Sequence, residues 1–326
     1  MSIGDANLIE VQNLTKIFST GFIMKRNIAA VEGVSFSLSE KVPEILTIAG
    51  ESGSGKSTTA RLILGLIKPT SGKILYKGKD IWKMSAKEWN QYRREVNAVF
   101  QDPYSAFNPF HKVEHVLLTP IRKFRLAESK EDAYELASKA LDSVNLRGEE
   151  ILGRYPHELS GGQLQRILLA RVFLLKPKLI VADEPVSMID ASIRINLLNI
   201  MLKYKENLGV SFLYITHDLS TATYISSRVL IMYLGNVVES GPIDDIVQNP
   251  LHPYVQQLID SIPNPDPEKR WKGYIKLPEV EHNLVETERV KGCKFYDRCP
   301  KRMEICKKER PKLKQVENRL VACHLY

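Results

Sequence analysis

The chain has 326 residues, 44% of them hydrophobic, which is enough to bury a sizeable core, so we expect one large α/β domain with an appendage. Its net charge of +8 comes from lysines and arginines scattered through most of the sequence, so the charge alone is weak support for a nucleic-acid or anionic-membrane partner. No run approaches the ~18 apolar residues of a membrane span, and residues 1–10 lack the basic and apolar order of a signal peptide, so we expect a soluble, cytoplasmic chain.

The first predicted elements are short strands. Leu8–Val11 and the alternating run Val34–Leu38 favour an antiparallel β layer. Ile45–Ala49 is a short apolar run that ends at a glycine, and Thr58–Leu66 has the pattern of a helix. Because all-apolar strands are typical of a parallel sheet covered on both faces, three later runs extend the prediction. These runs are Val96–Phe100, Leu179–Ala182 and Val210–Thr216.

Between Pro103 and Pro156 the apolar residues follow a helical period, most clearly in Glu131–Val144, which predicts a separate helical subdomain. Val229–Val238 predicts a hairpin that turns at Gly235-Asn236. A proline-rich linker, Ile262–Pro267, then leads to the region that holds all four cysteines. We therefore expect four segments: an α/β core with the antiparallel layer (1–101), the helical subdomain (102–160), the second half of the core (161–245) and a C-terminal extension with the four cysteines (246–326).

A glycine-rich loop follows the strand Ile45–Ala49 and precedes the predicted helix, which is the context of a phosphate-binding loop. Glycines let successive backbone N–H groups converge on phosphates, and the following helix presents its positive end to them. We expect Lys56 to reach the β- and γ-phosphates of a nucleotide and Ser57 to offer its hydroxyl to Mg²⁺. The loop consists of Gly50, Glu51, Ser52, Gly53, Ser54, Gly55, Lys56, Ser57 and Thr58.

Asp183 and Glu184 follow the apolar run Leu179–Ala182. Ligands of open α/β folds bind at the carboxyl ends of the parallel strands, and this pair lies at that edge of the predicted sheet. Asp183 would hold Mg²⁺ through water, and Glu184 would polarise the attacking water as a general base. Such a pair after a strand is often a solvated turn, and its position downstream of the phosphate loop favours the catalytic interpretation.

The stretch Leu159-Ser160-Gly161-Gly162-Gln163, downstream of the phosphate loop, resembles the signature of the ATP-binding cassette (ABC) ATPases. In that family the signature closes over ATP held by the phosphate loop of a facing subunit, so the resemblance implies that each site needs a second chain. Ser160 can cap a helix from Gln163 through Leu175, and Ser160 with the Gly161 and Gly162 amides can face a γ-phosphate. The implied fold is an ABC-type P-loop α/β ATPase with a mostly parallel core sheet.

The same resemblance implies roles for four more residues. Gln101 matches the glutamine that touches Mg²⁺ and water, and His217 matches the histidine that contacts the γ-phosphate. Asp190 matches the loop that crosses the dimer interface. Phe18 is our choice for the aromatic that stacks on adenine, with Phe22 and a packing-only role for Phe18 as alternatives.

The chain departs from the family pattern at two positions. Val186 stands where the family commonly has threonine, and Ile189 where it commonly has leucine. Neither change removes a catalytic group, so the resemblance still implies a site competent for hydrolysis.

Three segments resemble the oligopeptide and dipeptide importer branch in particular. They are Phe100–Tyr104 running to Asn108-Pro109, the stretch Asn249–Tyr254, and the cysteine region. The resemblance implies an ATP-hydrolysing subunit at the cytoplasmic face of a prokaryotic membrane, coupled to uptake of peptides, oligosaccharides or nickel. Its implied partners are a related, non-identical ATPase chain, two membrane-spanning permease subunits and, indirectly, a solute-binding protein. Tyr104 and Phe107 would lie near the permease.

The four cysteines have the spacing Cys-x5-Cys-x6-Cys-x16-Cys. Disulfides are improbable in a reducing cytoplasm, and zinc sites usually have tighter Cys-x2-4-Cys spacing. The spacing resembles the 4Fe-4S motif of this importer branch, with zinc or metal-free thiols as alternatives. Four nearby cations, Lys294, Arg298, Lys301 and Lys307, could stabilise the thiolates. The cluster ligands would be Cys293, Cys299, Cys306 and Cys323.

Two rival functions remain at this point. A soluble ABC protein acting on nucleic acid or the ribosome would suit the basic charge, but such proteins usually carry two cassettes or a long coiled insertion, and this chain has neither. We therefore expect no nucleic-acid partner. An inactive regulatory cassette would lack ATPase activity even with the correct partner.

Overall fold

A computed structural model of the chain describes residues 7–20, 26–262 and 291–326. Phe22 and residues 263–267 of the predicted linker lie outside the described residues. Contacts within the chain define two units. The first comprises Met1–Leu8, Ser39–Glu44 and Lys83–Ile215, and the second comprises Ile9–Leu38, Ile45–Trp82 and Thr216–Tyr326.

The described residues form strands in both units. In chain order the strands are β1 (Asn7–Thr20), β2 (Arg26–Ser39), β3 (Ile45–Ala49), β4 (Ser71–Tyr76), β5 (Lys79–Asp80), β6 (Val96–Val99), β7 (Leu179–Asp183), β8 (Ser211–Thr216), β9 (Arg228–Tyr233), β10 (Asn236–Pro242), β11 (Lys314–Val316) and β12 (Arg319–Val321).

The helices lie between these strands along the chain, singly or in runs. In chain order they are α1 (Lys56–Ile63), α2 (Ala86–Glu95), α3 (Glu114–Lys123), α4 (Lys130–Asp142), α5 (Gly148–Ile151), α6 (Gly161–Phe173), α7 (Ala191–Leu208), α8 (Leu219–Ile225), α9 (Ile243–Gln248), α10 (Pro253–Asp260) and α11 (Glu304–Lys308). Among the described residues, no helix has both the length and the apolar character that a membrane span needs.

The first unit contains the parallel strands β6, β7 and β8. Val99 pairs with Ala182, and Ala182 pairs with Tyr214, so the three strands end at the same edge of the sheet. The predicted all-apolar runs are therefore strands, as expected. The stretch predicted to be helical contains α3, α4 and α5, and α3 and α4 also pack against α6. A capping box at Ser129 begins α4, because its Oγ accepts a hydrogen bond from the Asp132 N–H.

The second unit contains two sheets. One is antiparallel and has the order β2-β1-β4-β5, which confirms the predicted β layer. In the other, β3 lies parallel to β9, and β9, β10, β12 and β11 follow in antiparallel order. The β9–β10 hairpin turns one residue earlier than predicted. Tyr233 pairs with Asn236, so the turn residues are Leu234 and Gly235, with φ angles of 44° and 84°. Two positive φ values are the requirement of a type I′ hairpin turn.

A buried ion pair joins the extension to the rest of the second unit. Glu239 on β10 is 0% exposed and Arg319 on β12 is 2% exposed, and their side chains lie 3.4 Å apart. The Glu239 carboxylate also accepts hydrogen bonds from the N–H groups of Leu251 and His252. Burial raises the pKa of Glu239, and these N–H donors and Arg319 act in the opposite direction. The pair therefore fixes β12 and the start of α10 to the same strand.

We expect the Arg319→Met variant to lower the free energy of unfolding by about 3 kcal/mol, because it leaves the Glu239 carboxylate buried without its cation. Urea denaturation followed by intrinsic fluorescence measures this change. The matched control is Lys314→Met on β11, where the side chain is exposed and a change within about 0.5 kcal/mol is expected. Equal losses in the two variants would contradict a structural role for the buried pair.

Candidate functional site

The phosphate loop makes close backbone contacts that exclude side chains. β3 ends at Ala49, and the loop that follows has φ angles of 148° at Gly50 and 103° at Gly55. A Cβ atom at Gly50 would overlap the carbonyl oxygen of Met232, and one at Gly55 would overlap that of Ala30. Since L-residues also avoid these φ values, glycine is required at both positions.

Lys56 stabilises the curved backbone of the loop through two hydrogen bonds. It is 5% exposed, and its Nζ donates hydrogen bonds to the carbonyl oxygens of Gly50 at 2.7 Å and Glu51 at 2.8 Å. Ser57 is exposed in the first turn of α1, and Ser52 and Gly53 are exposed in the loop. A cation, glycine amides and a helix N-terminus within one loop suit a phosphate group. The predicted phosphate-binding residues are therefore together in the second unit.

The β9–β10 turn supports this loop through a contact that was not predicted from the sequence. The Gly235 N–H donates to the Ser54 carbonyl oxygen at 2.9 Å, and the Gly235 carbonyl oxygen accepts from the Glu32 N–H at 2.8 Å. The hairpin signal itself was visible in the sequence, but its contact with the loop was not. The turn thus connects the phosphate loop to β2.

Two predicted catalytic residues meet in the first unit. Gln101 follows β6, and its Nε2 donates a hydrogen bond of 2.9 Å to the carboxylate of Glu184, which follows β7. Glu184 has a φ of 48°, and its N–H donates to the Ile215 carbonyl oxygen at 2.8 Å. A left-handed backbone at a non-glycine residue costs about 1–3 kcal/mol and persists where neighbouring bonds hold it. The backbone of Glu184 is therefore held in place and Gln101 orients its carboxylate, with Asp183 next to it as the last residue of β7.

The signature begins a helix in the predicted manner. The Ser160 Oγ accepts from the Gln163 N–H at 3.3 Å, and the Gln163 Oε1 accepts from the Ser160 N–H at 2.9 Å, which completes a capping box. Helix α6 begins at Gly161, two residues before the predicted start. Gly162 is buried, and a Cβ atom there would lie 3.2 Å from the Ile193 side chain. Ser160 is exposed, so its hydroxyl is accessible to a ligand from outside the chain.

The other predicted residues are accessible to different degrees. Asp190 is exposed immediately before α7 in the first unit, and His217 is exposed after β8 in the second. Phe18 lies on β1 with 39% of its surface exposed, and the Lys16 Nζ lies 5.1 Å from its ring centroid. The roles of these three residues stay predictions. Val186 and Ile189, the two departures from the family pattern, are both buried.

The four cysteines line one small cavity in the second unit. Burial raises the pKa of the Cys293 thiol to about 11 and also raises those of Cys299 and Cys323. Within the described residues, no three His, Cys, Asp or Glu side chains are placed so that they could hold one metal ion. The side-chain arrangement therefore gives no support of its own to the predicted iron–sulfur cluster.

Two of the cations predicted to stabilise the cysteines have other partners. Lys294 pairs with Glu32 at 2.9 Å, and Arg298 pairs with Glu51 at 2.8 Å. These long-range carboxylates could not be found from the local spacing around the cysteines. Lys301 does act on a cysteine, because its charge lowers the pKa of Cys299 against the larger effect of burial.

Two protein families match the chain. The family described as ABC transporter matches residues 31–187, and the family described as oligopeptide/dipeptide transporter, C-terminal region, matches residues 238–306. The second match includes most of β10, all of α10 and the first three cysteines.

Similar whole chains agree with these matches. The oligopeptide transport ATP-binding protein OppF of Salmonella typhimurium is 40% identical over 298 residues, covering 91% of this chain and 88% of the relative. The dipeptide transport ATP-binding protein DppF of Escherichia coli is 40% identical over 303 residues, covering 93% of this chain and 88% of the relative.

A solved structure matches the fold. The dimeric post-hydrolysis state of the ATP-binding cassette MJ0796, bound to ADP and Pi, aligns with a TM-score of 0.64 and 30% identity. The alignment covers 72% of this chain and 98% of the cassette. The predicted α/β P-loop ATPase fold is confirmed.

Proposed function

The chain belongs to the ABC transporter ATPases, and on that premise we propose that it is the ATP-hydrolysing subunit of an importer for oligopeptides or dipeptides. The match of residues 238–306 to the C-terminal region of such transporters supports this branch. Relatives that cover most of the chain are named for oligopeptide and dipeptide transport. These likenesses do not favour the alternative of a soluble ATPase acting on nucleic acid or the ribosome.

The observation that carries the hydrolytic function is the Glu184 carboxylate, held at the end of β7 by Gln101. As general base, Glu184 accepts a proton from the attacking water, and the hydrogen bond from Gln101 orients its carboxylate. In the second unit, Lys56 binds the β- and γ-phosphates, and His217 contacts the γ-phosphate. Mg²⁺, with Ser57, Gln101 and Asp183 as its proposed contacts, supplies charge neutralisation at the phosphates when ATP is bound.

The exposed Ser160 of the signature supports an assembly of two ATPase chains. Ser160 and the amides that follow it serve the ATP held by the partner's phosphate loop, and the exposed Asp190 lies at the interface between the chains. A related, non-identical chain is the proposed partner, beneath two permease subunits at the cytoplasmic face of the membrane. A solute-binding protein contacts the assembly indirectly. The four-segment division at residues 101, 160 and 245 stays a prediction.

A groove in the first unit supports contact with a permease. Its volume is about 790 Å³, and its lining includes Phe110, which is 87% exposed, together with His115 and Tyr155. Exposed aromatic residues beside a groove are typical of an interaction surface. Tyr104 is 52% exposed and suits the same contact, whereas Phe107, also predicted to lie near the permease, is buried.

We retain a 4Fe-4S cluster as the proposed occupant of the cysteine cavity. A single ion needs ligands that converge on one point, but the four irons of a cluster each take one thiolate, so the thiols can lie farther apart. The support for the cluster is the Cys-x5-Cys-x6-Cys-x16-Cys spacing, which resembles the motif of this importer branch. Zinc and metal-free thiols are the competing outcomes.

We expect Glu184→Gln to slow ATP hydrolysis by ~10²-fold or more while nucleotide binding is kept, because the amide cannot accept the proton. Phosphate release by the assembled complex and titration with a fluorescent ATP analogue measure the two effects. Glu135→Gln, at an exposed carboxylate on α4, is the control and should leave both unchanged. Normal turnover by Glu184→Gln would exclude this residue as the base.

A pair of mixed assemblies tests whether the signature acts on the partner's ATP. A two-chain assembly is prepared with Ser160→Arg in this chain and an alanine in place of the phosphate-loop lysine in the other chain. One intact site then remains, so hydrolysis should persist. If both changes are placed in one chain, with Lys56→Ala beside Ser160→Arg, no intact site remains and hydrolysis should be lost. The opposite ranking of the two assemblies would show that the signature acts within its own chain.

Absorption and metal content test the proposed occupant of the cysteine cavity. Anaerobically purified protein should absorb near ~400 nm, and Cys299→Ser should reduce that absorption because one thiolate ligand is removed. Metal analysis of the same sample should find iron and sulfide. A colourless protein with stoichiometric zinc, or with no metal, would contradict the cluster.

A further inference from the structure

Glu51 is held at every polar group it has. Its N–H donates to the Tyr254 Oη at 2.9 Å. Its carbonyl oxygen accepts from the Lys56 Nζ at 2.8 Å and from the Ser54 N–H at 3.2 Å. Its carboxylate accepts two hydrogen bonds of 2.8 Å from the two terminal nitrogens of Arg298. Two of these four partners, Tyr254 and Arg298, come from the C-terminal extension rather than from the loop.

Arg298 is well anchored inside the extension. It ends a short 3₁₀ turn, Tyr296–Arg298, directly before Cys299. Its guanidinium lies 5.5 Å from the ring centroid of the buried Phe295 and 5.7 Å from that of Tyr233. The bidentate bond with Glu51 raises the pKa of Arg298. A planar guanidinium that lies over aromatic rings and binds one carboxylate through two nitrogens has a defined orientation.

Tyr254 is anchored independently. It is fully buried in the first turn of α10, and the His252 side chain caps that helix by accepting from the Tyr254 N–H. The Glu239 carboxylate in turn accepts from the His252 N–H at 2.8 Å and pairs with Arg319. The extension therefore contacts the loop by two routes, one through Arg298 and one through Tyr254.

The charge of Glu51 explains why such an anchor matters. A carboxylate in a loop that binds polyphosphate would repel the ligand, and a bidentate arginine offsets that charge. The same arginine restrains Glu51, whose carbonyl oxygen accepts a hydrogen bond from the Lys56 ammonium. Loss of Arg298 would thus release the Glu51 side chain and leave a negative charge beside the phosphates.

We propose that Arg298, supported by Tyr254, is a positioning residue through which the cysteine-bearing extension sets the nucleotide affinity of the phosphate loop, acting on Glu51. The inference rests on the proposed nucleotide-binding role of the loop, but not on peptide transport. It assigns the extension a function at the ATP site whether its thiols hold iron, zinc or no metal.

The test is a double-mutant cycle on the full-length chain, read as the Kd of a fluorescent ATP analogue. Arg298→Gln is expected to weaken binding ~5–10-fold, and Glu51→Gln ~2–3-fold, because the second change also removes the repelling charge. The double variant Glu51→Gln/Arg298→Gln should bind like Glu51→Gln alone, since Arg298 then has no carboxylate to hold. In the assembled complex, Arg298→Gln should raise KM for ATP with kcat within about 2-fold of the parent.

Arg302→Gln is the matched control. It removes the same charge four residues away, and Arg302 stacks on Tyr296 at 5.5 Å. Its Kd should equal that of the parent chain. Tyr254→Phe tests the second route and should weaken binding ~2–5-fold, because the Glu51 N–H loses its acceptor.

The proposal would be overturned by an unchanged Kd for Arg298→Gln, by an equal loss in Arg302→Gln, or by a double variant whose loss is the product of the two single losses. If Arg298→Gln merely unfolded the extension, the double variant would be as weak as Arg298→Gln or weaker, which also overturns it. The hydrolytic assignment is tested separately, because Glu184→Gln leaves these contacts intact.

Discussion

The structure of the second unit depends on one constraint, the close approach of the phosphate loop to neighbouring backbone. The loop glycines contact the carbonyl groups of Met232 and Ala30, and that approach holds only while β9 and β2 keep their positions. The hairpin turn at Gly235 supplies a hydrogen bond to the loop, and Lys56 curves the loop from within. Because β2 and β9 hold one side of the phosphate loop rigidly, the loop amides on its other side can face a ligand.

The catalytic residues of the first unit follow a similar principle on different elements. Glu184 gains its position from a left-handed backbone at the end of β7, and Gln101 from the end of β6. Parallel strands bring their carboxyl ends to one edge, so residues far apart in sequence meet there. In both units the proposed functional residues lie in loops, and the strands that precede these loops fix the positions of those residues.

Much of this arrangement could be predicted from the sequence because its signals are local. Buried strands are short apolar runs, and the phosphate loop and signature combine glycine or serine with a following helix. The contact between Glu51 and Arg298 spans 247 positions, and no period or spacing connects them. The same limitation affected Lys294, which was predicted to serve the cysteines and instead pairs with Glu32. The hairpin turn was displaced by one residue because Leu234, not a typical turn residue, adopts a positive φ.

The pairing of Glu51 with Arg298 also has an evolutionary consequence. In an ATPase lineage that lost residues 291–326, the phosphate loop would keep the Glu51 carboxylate without its cationic partner, Arg298. Replacing the glutamate at the same time would remove the unpaired negative charge from the nucleotide site. Loss of the extension and substitution at position 51 should therefore occur together, and a cassette that keeps this acid without the extension should carry another cation nearby.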